Sequence, residues 1–377
     1  MLAPFVFQTA GRIQFGVGTL SALGKEAAAL GRKALVIVDS HVAAQGDVVE
    51  TIRKLCCDSA VETVLFESPP GREADLESVD RARRQRAESG CEMVIGVGGG
   101  SVIDTAKATA GLANEPASVR EYFDGRPIAS AGIPWIAVPT TAGSGAEVTK
   151  NAVLSDPATN RKLSIRDDRF LADVVIADPR LTCSCPARVT ADSGMDALAQ
   201  AIESFTSLGS TPLTDALAFE SARLILQSLE AACRDGADLD ARSDMLLGSL
   251  LAGIALANAR LGTIHGLAHP LGIRWNIPHG RICATLLAPV MRFNERVVGE
   301  KYGRLSALAG RPIIEHVERL RDQLGIPADL KAHRITADEV EWIVRESLPS
   351  GSLKMNPRPT SADDLRAILA PLIRDKR

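Results

Sequence analysis

The sequence predicts an α/β N-terminal nucleotide-binding domain with a parallel sheet, joined to an all-α C-terminal domain. Two observations carry this expectation. Over the first half, short unbroken apolar runs alternate with helical stretches, the pattern of parallel strands covered by helices on both faces. From about Pro186 onward, apolar residues recur at three- and four-residue spacing and β-branched runs become few. The expected division is residues 1–182 for dinucleotide binding and 183–377 for a helical metal and substrate domain.

Taken in order, residues 34–39 and 61–66 read as buried strands, and 73–90 as a charged helix. Residues 92–97 form a third strand and 101–112 a helix; 134–138 and 174–177 are further strands. In the second half, 191–207, 211–235 and 239–261 have helical periodicity. The basic run Arg81 to Arg86 is offset by Glu73, Asp75, Glu77, Asp80 and Glu88, and reads as a solvated helix face.

Composition narrows the function. The 377 residues are 46% hydrophobic and 24% charged, with a net charge of −3. That charge gives no electrostatic case for nucleic acid or an anionic membrane. No apolar stretch reaches the roughly 18 residues of a membrane span, and the first residues lack a basic segment before an apolar core. Seven scattered cysteines, without zinc-site spacing, fit reduced thiols in a cytoplasmic protein.

Three segments carry chemistry. Gly96-Val-Gly98-Gly99-Gly100-Ser101 follows a strand and opens a helix, so glycine allows close approach and the helix N-terminus offers unpaired N–H groups to a pyrophosphate. The other reading is a tight strand-to-helix turn. Pro139-Thr140-Thr141-Ala-Gly143-Ser144-Gly145 is a second polar loop at a strand end, suited to phosphate or ribose. Asp39 closes the first strong strand, where a carboxylate either accepts from both ribose hydroxyls, favouring NAD over NADP, or caps a helix.

The third segment contains half of the six histidines: His265-Gly-Leu-Ala-His269 through Arg274 to His279. His265 and His269 share a helix face, as do Asp196 and Gln200 in Gly194-Met-Asp196-Ala-Leu-Ala-Gln200. Asp and two His from separate segments suit a divalent cation with a position left for substrate, or are hydrogen-bonded core residues. Arg274 is either a bidentate clamp for a substrate carboxylate or part of a local salt bridge.

The ordered set of Gly-Gly-Gly-Ser, Pro-Thr-Thr-x-Gly-Ser-Gly, Gly-Met-Asp-Ala-Leu and His-Gly-x-Ala-His-Pro-Leu-Gly…Pro-His-Gly resembles the iron-containing (group III) alcohol dehydrogenases. These are kin of dehydroquinate synthase and glycerol dehydrogenase. The resemblance runs from Ile13-Gln-Phe-Gly16 to Asn356-Pro-Arg358. It implies the dehydroquinate synthase-like fold, NAD-dependent interconversion of a small alcohol and its carbonyl compound, and a homodimer. It also implies that Asp196, His265 and His279 are metal ligands and that His269 lies near the nicotinamide and substrate. By the same resemblance Gly98, Gly99, Gly100 and Ser101 hold pyrophosphate, and Asp39, Thr140, Thr141, Ser144, Lys162 and Leu181 line the cofactor. Asp104, on the helix that the glycine turn opens, joins the cofactor-binding set.

One position departs from the pattern: the family has His four residues after the Asp, and this chain has Gln200. An amide is a weaker ligand for iron or zinc than imidazole. Gln200 either joins a weakened site, or the site works without metal, with His265, His279 and Arg274 handling an acidic substrate as in maleylacetate reductase. A nucleotide-binding homologue without catalysis is the remaining reading.

Overall fold

A computed structural model describes residues 4–44, 47–68 and 73–373. The chain separates into two compact units, one of residues 9–141 and 145–184, the other built from residue 185 onward together with 142–144 and the N-terminal segment.

Among the described residues the first unit contains eight strands: β1 (Arg12–Phe15), β2 (Lys33–Asp39), β3 (Glu62–Ser68), β4 (Met93–Gly98), β5 (Trp135–Pro139), β6 (Asn151–Asp156), β7 (Arg161–Arg166) and β8 (Val174–Ala177). Its helices are α1 (Leu23–Leu30), α2 (Ser40–Ala44), α3 (Asp47–Asp58), α4 (Leu76–Ser89), α5 (Gly100–Gly111) and α6 (Val119–Phe123). Six strands form one parallel sheet in the order β1-β8-β5-β4-β2-β3. The central strands β4 and β5 are buried along their whole length, which is why they read as unbroken apolar runs.

The register explains where a ligand would go. Val38 pairs with Val97, and Gly98 with Pro139, so the carboxyl ends of β2, β4 and β5 lie side by side. The chain reverses direction across the sheet between β3 and β4, which lie on opposite sides of β2, and open α/β sheets bind ligands at such a reversal.

β1 and the antiparallel β6–β7 hairpin were not evident in the sequence pattern. β1 has no buried residue and β7 only Ile165, while β6 is largely buried but begins with Asn151 and ends on Ser155 and Asp156, so no continuous apolar run marks them. The solvated face expected around Arg81–Arg86 is only partly so. The Arg83 guanidinium donates to the carbonyls of Leu112, Glu115 and Ala117 at 3.0, 2.6 and 2.9 Å, pinning α4 to the chain that follows α5.

The second unit is helical: α7 (Ala187–Thr206), α8 (Pro212–Arg234), α9 (Leu239–Ala259), α10 (Thr263–Trp275), α11 (His279–Ala309), α12 (Ile313–Gln323), α13 (Ala337–Ser347) and α14 (Ala362–Ile373). One continuous apolar core joins all eight. Glycine lets α11 start hard against α7: a Cβ on Gly280 would lie 2.1 Å from the Asp192 carbonyl oxygen. Among the described residues, no single helix is long and apolar enough to cross a membrane.

The first unit buries a charged cluster. Lys107 is fully buried and donates to Asp104 Oδ1, Thr149 Oγ1 and the Asn151 carbonyl at 3.3, 3.0 and 2.7 Å. Glu147 is buried nearby, and desolvation pushes its carboxyl from 4.5 up to about 7. Below about pH 4.5 this group is neutral whether folded or not; as pH rises to about 7 only the unfolded chain ionises, so stability is lost. The full effect is roughly 3 kcal/mol. Glu147→Gln is therefore expected to gain stability relative to the parent protein as pH rises from about 5 to about 8, read from thermal midpoints. Parallel midpoints for the two proteins across that range would contradict it.

Candidate functional site

Helix α7 presents Asp196, Gln200 and Glu203 at intervals of four and three residues, so all three lie on one face, and all three are buried. Glu203 fixes the next element. Its Oε1 accepts the Ile264 N–H at 2.7 Å in the first turn of α10, where backbone donors lack helical partners. Its Oε2 lies 2.7 Å from His265 Nδ1. A carboxylate there makes Nδ1 the donor and turns Nε2 toward the cluster, the usual way a metal-binding imidazole is oriented.

His265 Nε2 lies 3.3 Å from Asp196 Oδ1, and His279 Nε2, on the first residue of α11, lies 3.8 Å from the same oxygen. Cys283 follows His279 by one helical turn, with its Sγ 3.7 Å from His279 Nε2 and 3.9 Å from His265 Nε2. The ligand atoms of Asp196, His265, His279 and Cys283 all lie within 4.8 Å of one another. Burial opposes ionisation of Asp196, but His279, His265 and Cys283 outweigh it and hold the carboxyl below its ordinary range. Burial likewise opposes the charged form of His265; Cys283, Asp196 and Glu203 reverse that and raise its pKa. Desolvation pushes the Cys283 thiol up to about 12.

The donor set fits a divalent cation. Tetrahedral oxygen and nitrogen ligands at about 2.0–2.2 Å from one ion stand about 3.3–3.6 Å apart; the Asp196–His265 separation of 3.3 Å falls in that range, and the Asp196–His279 separation of 3.8 Å lies just above it. Gln200 stands differently. Its amide nitrogen donates to Asp196 Oδ2 at 3.1 Å, and its oxygen is buried without a hydrogen-bond partner among the described residues.

His269 is half-buried, with its ring 5.7 Å from that of His279. Arg274 is engaged elsewhere. Its guanidinium lies 3.3 Å from Glu339 and stacks 4.7 Å from the Trp342 ring and 5.4 Å from Trp275, which is the local pairing and not a carboxylate clamp.

In the first unit the glycine turn stands at the carboxyl end of β4. Gly99 caps α5 in an extended conformation without any side-chain cap, so the first N–H groups of α5 stay available for an anion. Ser101 lies in that first turn. A Cβ on Gly98 would meet Val102 at 2.7 Å, and one on Gly99 would lie 3.2 Å from Thr141 Oγ1. Thr140 donates its N–H to the Gly98 carbonyl at 3.0 Å, which locks the two polar loops together. Ser144 is half-buried in the second loop. Asp39 accepts the Val42 N–H at 2.8 Å through one oxygen, the capping geometry.

Three cofactor candidates have partners inside the protein. Asp104 is turned inward, its two oxygens occupied by Lys107 and the Val153 N–H, so it braces α5 against β6 and does not face a ligand. Lys162, on β7, pairs with Glu73. Leu181 packs against the apolar core on one face of the sheet. Sequence reasoning gave no role to Glu203 or Cys283. Their signals were positional: Glu203 repeats the Asp196 face two turns on, and Cys283 stands four residues after His279.

Comparison with known proteins shows the same architecture. Residues 10–179 match the iron-containing alcohol dehydrogenase family, and residues 190–373 match the C-terminal part of the Fe-containing alcohol dehydrogenase family. Long-chain-alcohol dehydrogenase 1 of Geobacillus thermodenitrificans is 36% identical over 373 residues, covering 94% of this chain and 93% of its own. A crystal structure of 1,3-propanediol oxidoreductase superposes with a TM-score of 0.93 at 30% identity, covering 98% of this chain and 100% of its own. Sulfoacetaldehyde reductase from Bifidobacterium kashiwanohense, solved in complex with NAD+, gives 0.91 at 29% identity, covering 98% and 99%.

Glu203 orients His265 without belonging to the donor cluster. Glu203→Gln is expected to weaken Zn(II) binding by about 10- to 100-fold, measured by competition with a chromophoric chelator. Unchanged affinity in a folded variant would show that the carboxylate does not orient the ring.

Proposed function

The chain belongs to the iron-containing alcohol dehydrogenase family, and from that premise we propose that it is an NAD-dependent oxidoreductase interconverting a small alcohol with its aldehyde or ketone. The observation that carries the proposal is the Asp196–His265–His279 cluster, buried at Asp196 and His265 and half-buried at His279, whose donor atoms converge on one point. When bound, the cation, iron or zinc, supplies a Lewis acid for the substrate oxygen, and NAD supplies the hydride acceptor or donor.

The residues have distinct tasks in this reading. Gly98, Gly99, Gly100 and Ser101 bring backbone N–H groups and the positive end of α5 to the pyrophosphate. Asp39 accepts from the adenosine ribose hydroxyls and repels a 2′-phosphate, selecting NAD over NADP. Thr140, Thr141 and Ser144 offer hydroxyls on the nicotinamide side, Lys162 reaches the nicotinamide ribose and Leu181 packs on the adenosine side. Asp196, His265 and His279 hold the cation, Gln200 holds Asp196 in place, and His269 passes the alcohol proton outward. Asp104 has no part, since both its oxygens are occupied inside the protein, and Arg274 has none, since it pairs with Glu339 and stacks on Trp342; Lys162 acts by leaving its pairing with Glu73. The engagement of Arg274 removes that residue as an anchor for the metal-free reduction of an acidic substrate.

A homodimer in the cytoplasm belongs to the same reading. The outer side of the edge strand β1 invites pairing, Phe5 and Val6 are exposed apolar residues, and all seven cysteines are unpaired. The substrates of similar proteins, long-chain alcohols, 1,3-propanediol and sulfoacetaldehyde, define a starting panel.

NADH oxidation with small aldehydes and NAD+ reduction with the matching alcohols, before and after chelation, tests the proposal. Turnover that chelation abolishes and Fe(II) or Zn(II) restores is expected. NADH binding without turnover on any panel member, with both metals supplied, would leave a nucleotide-binding protein instead. Asp39→Ala is expected to lose about tenfold or more in NAD affinity, the worth of a charge-assisted hydrogen bond of about 1.5–3 kcal/mol, and to lose its discrimination against NADP. An unchanged NAD to NADP ratio in that variant would reduce Asp39 to a helix cap.

A further inference from the structure

We propose that Cys283 is the fourth ligand of the cation, taking the place left by the missing imidazole at position 200, and that the resulting Asp–His–His–Cys set selects zinc over iron. The inference rests on the reading of the cluster as a cation site.

Three observations carry it. First, the sulfur stands within reach of the same point as the other three donors, and a substrate oxygen would then take a fifth position, an expansion that catalytic zinc sites allow. Donors around a tetrahedral ion at about 2.0–2.3 Å are separated by about 3.3–3.8 Å. Cys283 Sγ lies 3.7 Å from His279 Nε2 and 3.9 Å from His265 Nε2, next to the 3.3 and 3.8 Å separations that those rings make with Asp196 Oδ1. A sulfur at about 2.3 Å and a nitrogen at about 2.0–2.1 Å from one ion stand about 3.5 Å apart, so a bound cation would draw the sulfur and the two rings together by a few tenths of an ångström.

Second, Gln200 presents the wrong end of its amide. Its N–H group meets Asp196 Oδ2 at 3.1 Å, whereas a cation needs the amide oxygen. Exchanging the two amide atoms would set an oxygen against a carboxylate oxygen, so the hydrogen bond fixes the assignment. The displaced oxygen is buried and has no hydrogen-bond partner among the described residues. Gln200 is thus a positioning residue for Asp196.

Third, Cys283 is held rigidly. It is fully buried, one helical turn after His279, at the end of α11 that Gly280 seats against α7. Helix α11 therefore gains a ligand where α7 has lost one. Nitrogen and oxygen donors already bind Zn(II) more tightly than Fe(II), and a thiolate, a soft donor formed when the cation displaces the thiol proton, widens that preference.

X-ray absorption at the zinc edge of the full-length protein, loaded anaerobically from equimolar Zn(II) and Fe(II), tests the assignment without any variant. Zinc in excess over iron is expected, with one sulfur scatterer at about 2.3 Å beside nitrogen and oxygen at about 2.0–2.1 Å. The Co(II)-substituted protein is expected to show a sulfur-to-cobalt charge-transfer band in the near ultraviolet, lost in Cys283→Ser and kept in Gln200→Ala. Bound metal surrounded only by nitrogen and oxygen, with turnover still abolished by chelation, would overturn the cysteine assignment alone. A protein that binds neither metal yet turns over NADH would overturn this inference and the cation site together.

Discussion

Burying Asp196 in an apolar helical core is the constraint on which the second unit depends. An isolated buried carboxylate is too costly to keep charged, so the surrounding elements must bring compensating groups to it. His265 and His279 come from α10 and α11, and Gln200 from the same helix. Glu203 adds a second buried carboxylate, and that charge is used twice, once to cap α10 and once to orient His265. One face of α7 therefore sets the positions of two further helices. The same compensation leaves donor atoms converging on one point, so packing and chemistry are settled by one set of contacts.

The first unit solves a different problem, the close approach of backbone to an anion. Parallel pairing aligns the ends of β2, β4 and β5, and the glycines at the end of β4 remove side chains from the start of α5. A Cβ on Gly98 would meet Val102 of α5 and one on Gly99 would meet Thr141 of the second loop, so packing alone already calls for glycine at both positions. The buried Lys107–Asp104 pair braces α5 against the β6 hairpin, which keeps the helix in place.

Much of this was legible in the sequence. The four inner strands, β2, β4, β5 and β8, read clearly because burial on both faces leaves continuous apolar runs, and the edge strand β3 read through its short apolar run Val64-Leu-Phe66. The glycine turn and the histidine window read clearly because few structural demands place three glycines or three histidines together. β1 and the β6–β7 hairpin did not, since they carry mixed polarity and no continuous apolar run. Asp104 was misread for a related reason: its place on the helix after the glycine turn is compatible with a ligand contact or an inward brace, and only the position of Lys107 decides. Arg274 lies between two site histidines in sequence, but Glu339 and Trp342, far along the chain, claim it. Cys283 was passed over because a single cysteine has no pattern until the fold brings His265 beside it.

The account stands on a cation held by Asp196, His265 and His279 in a protein that also binds NAD. The most direct measurement is anomalous X-ray scattering at the metal edge from crystals of the NAD-bound protein. It predicts one strong peak within about 2.0–2.3 Å of the carboxylate and both imidazoles. Fully occupied NAD with no anomalous peak among those three side chains, in crystals grown with Zn(II) or Fe(II), would contradict it.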